Sequence, residues 1–196
     1  MNARERLITS AQELLWERGY VGTSPRAIQE RARAGQGSMY HHFKGKPDLA
    51  LAAVRRSAEE LRRVAEAQLD QPGTAMERLR AYARRKRDVL RGCPIGRLAH
   101  DPDVVKNPSL REPIHETLAW LEGRLAELVR EAQSDGEIDP VLDPASAAVA
   151  FLAALQGGYV LARAAGSVEP FERAAEGALI LLARAKPRPF AGAGLP

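Results

Sequence analysis

Residues 24–47 read SPRAIQERARAGQGSMYHHFKGKP, a composition typical of two short helices joined by a tight turn. Ser24 followed by Pro25 is a helix start, because the serine hydroxyl can cap free backbone N–H groups and proline fits the first helical position. We expect helices over 25–32 and 36–43. Their close spacing predicts a helix-turn-helix, in which the N-terminal residues of the second helix face base edges in the major groove.

The second of these helices has side chains that suit contact with DNA. Gln36 carries an amide that can form a bidentate pair with a base. Its neighbours are small, for close approach, or aromatic: Gly37, Ser38, Tyr40 and His41. Lys44 and Lys46 follow and can neutralise phosphates. Double-stranded DNA is therefore the expected partner.

The strings GY at 19–20, TS at 23–24 and GSMYHHFKGKPDL at 37–49 resemble the DNA-binding region of the TetR family of regulators. The resemblance covers about residues 5–52, with Tyr40, His42, Phe43, Lys46 and Leu49 in register. It implies base-facing positions for Arg26, Gln36, Gly37, Ser38 and His41, and phosphate-facing positions for Ser24, Tyr40 and Lys46. It also implies a core position for Phe43.

Two further features bear on that resemblance. The family turn usually reads Ala-Gly-Val-Ser, whereas residues 32–35 read ARAG, so Arg33 stands where a glycine often takes positive φ. We expect an altered or more mobile turn, with Gly35 in the capping position. Farther along, RGCPIGRLAHD at 91–101 resembles a Gly-Cys-Pro segment found in LmrA/YxaF-like members of the family.

Composition limits the remaining possibilities. The chain has 196 residues, 45% of them hydrophobic, and a formal net charge of +4. Residues 1–56 hold ten Lys and Arg against five Asp and Glu, so a basic module precedes a near-neutral one. A single cysteine excludes an internal disulfide and fits a reducing cytoplasm. We find no signal peptide and no run approaching the roughly 18 apolar residues of a membrane span. The expected location is cytoplasmic, without a membrane partner.

All convincing periodicity in the chain is helical, so the predicted fold class is all-α with about nine helices. The predicted C-terminal helices span 47–68, 74–91, 110–133, 144–165 and 170–185, with 101–108 as a loop. We assign 1–46 to a three-helix DNA-binding domain. Residues 47–186 then form a larger helical domain for effector binding and dimerisation, and 187–196 are a tail expected to be disordered.

The two activities of the larger domain each have candidate residues. An effector pocket is predicted between the 47–68, 74–91 and 110–133 helices, with mainly apolar walls: Leu61, Tyr82, Cys93, Trp120 and Tyr159. Such walls favour a hydrophobic or aromatic effector. A homodimer interface is predicted on the last two helices, with these candidates: Phe151, Leu155, Gly158, Leu179 and Leu182. The predicted function is an effector-released repressor that binds a palindromic operator.

Some residues allow two interpretations from sequence. Trp120 fits core packing as well as a pocket wall. Cys93 is interpreted as a small buried hydrophobe rather than a reactive thiol. The run 84–87, RRKR, is interpreted as a solvated helical face, and His100 with its acidic neighbours as a solvated turn. Adjacent histidines at 41–42 face different directions on a helix, so no metal site is expected there.

Two other functions remain open beside the repressor. An enzyme is one, but no phosphate-binding loop, nucleophile elbow or metal-ligand spacing is present, so neither catalytic residues nor a cofactor is predicted. A DNA-binding protein without an effector is the other. The size of the larger domain discriminates between this last possibility and the repressor, because about 140 residues exceed what dimerisation alone requires and so favour an effector-binding protein.

Overall fold

The computed structural model describes residues 1–184 and consists, over that range, of nine α-helices without a strand. The predicted all-α fold is confirmed. The helices are α1 (Ala3–Arg18), α2 (Pro25–Ala32), α3 (Gln36–His42), α4 (Lys46–Leu69), α5 (Ala75–Arg84), α6 (Pro102–Lys106), α7 (Pro108–Ser134), α8 (Pro144–Ala165) and α9 (Glu169–Arg184). A short 3-10 helix at Gly96–His100 precedes α6. The expectation for 187–196 lies outside the described residues.

The first three helices form as their capping residues predict. Ser24 caps α2 by accepting a hydrogen bond from the Ala27 N–H at 3.1 Å. Gly19 ends α1 at φ 74°, a conformation that favours glycine. Gly35 begins α3 without a side-chain cap. One apolar face of α1 packs on α2 and α3, and α1 also packs on α4, so α1 contacts both parts of the molecule.

The turn between α2 and α3 contains the non-glycine residue at positive φ that the sequence predicts. Arg33 adopts φ 48° and ψ 49°, and its N–H bonds to the carbonyls at the end of α2. A left-handed conformation costs an L-residue roughly 1–2 kcal/mol relative to glycine. A substitution to glycine recovers only part of this, because glycine also gives the unfolded chain more conformational entropy.

We therefore expect Arg33→Gly to raise the free energy of unfolding by about 0.5–1 kcal/mol. Urea denaturation measures the change. Arg130→Gly is the matched control, since Arg130 is exposed within α7, four residues before its end, and glycine inside a helix destabilises it by about 1 kcal/mol. Equal losses in both variants would show that the turn is unstrained.

The C-terminal part is a helical bundle around α7. This helix packs against α4, α5 and α8, and α8 forms a hairpin with α9. Leu121 and Leu125 of α7 are fully buried in its centre. Close packing of the hairpin depends on Gly158, where an added Cβ would lie 3.1 Å from Phe171 Cδ2.

Two boundaries differ from the sequence prediction. The helix predicted over 74–91 ends at Arg84, because the Arg87 guanidinium folds back and donates to the Tyr82 and Ala83 carbonyls at its end. The run at 84–87 is therefore not a solvated helical face. The predicted loop 101–108 contains α6, and its two prolines are the first residues of α6 and α7.

A third correction concerns α8. This 22-residue helix is long and apolar enough to cross a membrane by length and composition, so the sequence does contain such a run. Its buried face, including Phe151 and Leu155, packs within the bundle as in a core helix. By itself one such helix is weak evidence for a membrane span.

Candidate DNA-binding and effector sites

The surface of α3 presents most of the predicted DNA-contacting side chains to solvent. Met39 and Phe43 anchor the helix from its buried side, with exposed fractions of 0% and 4%. The expected core position of Phe43 is confirmed. The predicted DNA-contacting residues at the start of α2, within α3 and just after α3 are exposed: Ser24, Arg26, Gln36, Gly37, Tyr40, His41 and Lys44. Ser38 is half-buried.

Two of the predicted DNA contacts also have partners within the protein. The Arg26 Nε donates to Glu30 Oε1 at 2.8 Å on the exposed face of α2. Lys46 is half-buried with its Nζ 4.0 Å from the centre of the Tyr20 ring. Burial lowers the pKa of Lys46, although Asp101 and Asp103 partly offset this. Lys46 therefore has a structural contact in addition to its predicted phosphate contact.

A cavity of about 420 Å³ lies between the DNA-binding helices and the bundle. Its walls come from α1, from α4, from the segment 85–94 and from Tyr159 of α8. Trp16 and Leu61 give it an apolar surface. The volume falls in the range of small-molecule sites in proteins.

The cavity includes three of the five predicted pocket residues. Leu61, Cys93 and Tyr159 line it. Tyr82 is buried behind the lining, where the Arg85 guanidinium lies 4.9 Å from its ring centre. Trp120 lies elsewhere, against Arg62 of α4. The cavity is displaced from the predicted location toward α1.

Sequence reasoning missed the charged part of this lining. The segment 85–94 brings four cations to the cavity: Arg85, Lys86, Arg87 and Arg91. Arg87 is mostly enclosed, and burial lowers the pKa of its guanidinium. The predicted helix over 74–91 would have spread these side chains around a helical surface. The early end of α5 groups them instead.

The same segment holds α1 by several contacts. Trp16 Nε1 donates to the Gly92 carbonyl at 2.9 Å, and the Arg91 guanidinium lies 3.9 Å from the Trp16 ring centre. Arg91 also reaches Glu17, which forms a bidentate ion pair with Arg31 of α2 at 2.9 Å. These contacts connect the cavity wall to the helix-turn-helix.

A buried carboxylate, that of Asp101, also connects the helix-turn-helix to the rest of the molecule. Asp101 Oδ2 accepts hydrogen bonds from the Tyr20 N–H at 2.7 Å and from the Val21 N–H at 2.9 Å, both in the turn between α1 and α2. Its Oδ1 accepts from the Asp103 N–H at 3.2 Å and caps α6. Asp101 is 8% exposed, so the predicted solvated turn is wrong at this residue.

The predicted dimer residues lie inside the protomer. All five are buried, because they face the packed interior of the α8–α9 hairpin: Phe151, Leu155, Gly158, Leu179 and Leu182. The outer face of the same two helices carries exposed small and apolar residues: Val149, Ala150, Ala153, Gly157, Val160, Leu161, Ile180 and Leu181.

The remaining titratable residues form no recognisable reaction centre in the described part of the chain. Residues 1–184 contain no group of three His, Cys, Asp or Glu placed to hold a metal ion. His100 and His115 border different cavities. Cys93 is buried, as predicted, and its sulfur accepts a hydrogen bond from the Gly96 N–H at 3.2 Å.

Comparison with known proteins agrees with this architecture. The family model described as "Bacterial regulatory proteins, tetR family" matches residues 7–53, and "Tetracyclin repressor-like, C-terminal domain" matches residues 74–178. The transcriptional regulator AcuR of Cereibacter sphaeroides is 30% identical over 168 residues, which are 82% of this chain and 76% of AcuR.

Two further similarities support the assignment. The HTH-type transcriptional regulator LmrA of Bacillus subtilis is 30% identical over 122 residues, 59% of this chain and 64% of LmrA, which is consistent with the subgroup resemblance. A crystal structure of regulatory protein TetR from Rhodobacter sphaeroides superposes with a TM-score of 0.81 at 28% identity, covering 93% of this chain and 98% of that one.

An exposed recognition helix on a helical body defines a transcriptional regulator of the helix-turn-helix class. This chain belongs to the TetR family. Regulators of this family bind DNA as dimers and respond to small molecules, and the relatives named here are transcriptional regulators.

Proposed function

We propose that this protein is an effector-responsive repressor that binds a palindromic operator as a homodimer. The observation that carries the proposal is the position of the cavity: its walls include α1, which also supports α2 and α3. A ligand there would act on the helices that orient the recognition surface. A constitutive DNA-binding protein would have no use for a cavity at this place.

DNA binding is assigned to the exposed surface of α2 and α3. Gln36 stands at the first position of α3, where side chains of a recognition helix meet base edges. Gly37 leaves open space around its Cα, since an added Cβ would meet no atom within 4 Å, so the backbone can approach the duplex closely. Lys44 is exposed just beyond the helix and supplies a phosphate contact.

Dimerisation is assigned to the outer face of α8 and α9. Ala150, Ala153, Gly157 and Leu161 recur at helical spacing on α8 and are all exposed in the protomer. Leu181 of α9, 73% exposed, borders an apolar groove between the two helices. Small residues let two copies of α8 approach closely, and a two-fold contact gives the two heads the symmetry of a palindrome.

The effector is assigned to the cavity of 420 Å³ beside Trp16, and the apolar part of its lining favours an effector with an apolar body. Binding is expected to shift α1 and α4 and so to change the separation of the two recognition helices. Since coupling is reciprocal, operator DNA should weaken effector binding by the factor by which effector weakens DNA binding. Equal effector affinity with and without operator would contradict this mechanism.

The DNA assignment predicts different effects for Gln36→Ala and Lys44→Ala. Loss of a bidentate base contact should reduce the preference for operator over scrambled duplex by about 1–3 kcal/mol per half-site, with little change in salt dependence. Loss of the lysine should weaken both duplexes alike and flatten the salt slope by about two units in a dimer. Lys44 is used for this test instead of Lys46, because Lys46 also packs on Tyr20 and its loss would disturb the fold as well.

Fluorescence anisotropy with both duplexes across a salt series measures these effects. Glu66→Ala serves as the control, because Glu66 lies on the exposed surface of α4 in the C-terminal half of that helix. If Gln36→Ala weakens operator and scrambled duplex equally, the base-reading assignment of α3 is wrong.

A further inference from the structure

The cations of the cavity differ in whether they have acidic partners. Arg91 pairs with Glu17, and Arg84, which lies just before the segment and outside the cavity lining, pairs with Glu176. Arg85 and Arg87 pair with no carboxylate in residues 1–184, although both side chains are partly buried. Buried charges in proteins are ordinarily paired, so two adjacent unpaired guanidinium groups require an explanation.

Arg87 is held in place by neutral groups. Its Nε donates to the Arg85 carbonyl at 3.1 Å, and its Nη2 donates to the carbonyls that end α5. Its Nη1 reaches the Tyr159 hydroxyl at 3.3 Å, and its guanidinium lies 5.0 Å from the Phe171 ring centre. These contacts fix the charge beside the cavity without neutralising it.

Arg85 has its hydrogen-bonding capacity free. Its guanidinium stacks at 4.9 Å from the Tyr82 ring centre, and its buried Nε has no hydrogen-bond partner in the described residues. An unsatisfied buried donor is destabilising, more so when it carries charge. The proximity of Arg85 also lowers the pKa of Arg87, as repulsion between like charges would. An anion bound to the accessible part of the Arg85 guanidinium would offset the repulsion between the two cations.

The acidic residues of the cavity do not neutralise Arg85 and Arg87. Glu13, Glu60 and Asp88 line it but are exposed, and each accepts a hydrogen bond from another group. Those donors are Arg31, Gln12 Nε2 and the Arg91 N–H. The carboxylates are therefore exposed to solvent, whereas Arg85 and Arg87 are partly buried.

We propose that the effector is an organic carboxylate whose anionic group binds Arg85, with Arg87 as the supporting charge, and whose apolar body lies against Trp16, Leu61 and Val64. The planar guanidinium of Arg85 matches a carboxylate in bidentate geometry. The inference rests on the proposed function in one respect, that this cavity is the effector site. It replaces the mainly hydrophobic effector expected from sequence with an amphipathic anion.

Trp16 provides a local reporter of binding. The chain has two tryptophans, and Trp120 lies outside the cavity, so Trp120→Phe leaves Trp16 as the single tryptophan, which can be excited selectively. The probes are benzoate, phenylacetate, hexanoate and octanoate, each compared with its neutral amide at constant ionic strength. Arg85 also borders a groove lined by Glu172 and Glu176, and a ligand bound there would leave Trp16 unchanged.

We expect at least one carboxylate to change Trp16 fluorescence with an affinity at least tenfold higher than that of its amide. Arg85→Met should abolish this preference, and Arg85→Lys should restore part of it. Lys86→Met is the matched control, because Lys86 lines the same cavity but is exposed. Arg85 was chosen over Arg87 because Arg87 also closes the end of α5.

The outcomes separate the charge assignment from the proposed function. If no carboxylate changes the Trp16 signal at about 10 mM, or if the amides bind equally well, the anion site is wrong. Amides that bind and release operator would overturn the anion site and leave the effector function intact. Carboxylates that bind with an Arg85-dependent preference but never release operator would support the anion site and contradict the effector function.

Discussion

Replacement of Asp101 by alanine is expected to lower the free energy of unfolding by about 2–3 kcal/mol. The variant leaves the Tyr20 and Val21 N–H groups without their acceptor and removes the cap of α6. Bonds to an ionised acceptor are among the stronger hydrogen bonds in proteins. The expected loss is smaller than the sum of the three lost hydrogen bonds, because Val21 is exposed and water can replace part of its bond.

Urea denaturation measures this loss, and Asp103→Ala is the control. Asp103 lies two residues away in the first turn of α6, and it is exposed. Its removal should change stability by less than about 1 kcal/mol, the usual size of a helix-dipole contribution. Similar losses in the two variants would mean that Asp101 does not hold the turn between α1 and α2 as its geometry indicates.

Ala153→Glu is expected to break the proposed dimer, with a dissociation constant raised at least about a thousandfold, because two unpaired carboxylates would be buried in an apolar contact. Ala153 is exposed in the protomer, so the fold should be retained. Operator affinity should fall with the dimer, since each protomer then holds only one half-site. Sedimentation equilibrium and circular dichroism measure assembly and folding.

Val141→Glu is the control for this prediction. Val141 is 89% exposed in the loop before α8, so the same charge is added away from the outer face of α8 and α9. It should leave assembly and operator binding unchanged. A dimer of undiminished affinity in Ala153→Glu would place the interface on another surface.

Much of the fold could be predicted from local signals. Ser24 and Pro25 fix the start of α2, and the bounds of α8 agree with prediction, because caps and prolines act on neighbouring backbone groups. The end of α5 could not be predicted in this way. It depends on Arg87, which contacts Tyr159, a residue 72 positions away in sequence.

The two candidate sites differ in the same way, because one follows from a local motif and the other from contacts between distant segments. The predicted DNA-contacting residues follow from the motif around α3, and Gln36 and Tyr40 are exposed although their neighbours Met39 and Phe43 are buried. The cavity depends on where distant segments meet. Periodicity identified Leu61 and Tyr159 as apolar, but it could not show that α1 supplies a wall or that Asp101 connects the two parts of the chain.

Periodicity was also insufficient for the dimer interface. Both faces of α8 are apolar and both carry small residues, so the sequence predicted Phe151, Leu155 and Gly158 at the interface. In the structure those residues lie within the hairpin, and other small and apolar residues face outward. Hydrophobicity alone does not decide which of two apolar faces is used within the protomer.

The central claim is that a dimer of this protein reads a two-fold symmetric DNA sequence through α3. Selection of duplexes from a random library by the purified full chain, followed by sequencing of the bound fraction, tests it most directly. The account predicts enrichment of an inverted repeat, which Gln36→Ala relaxes at symmetric positions of both half-sites. Enrichment of no sequence over the starting library, or of a motif without two-fold symmetry, would contradict it.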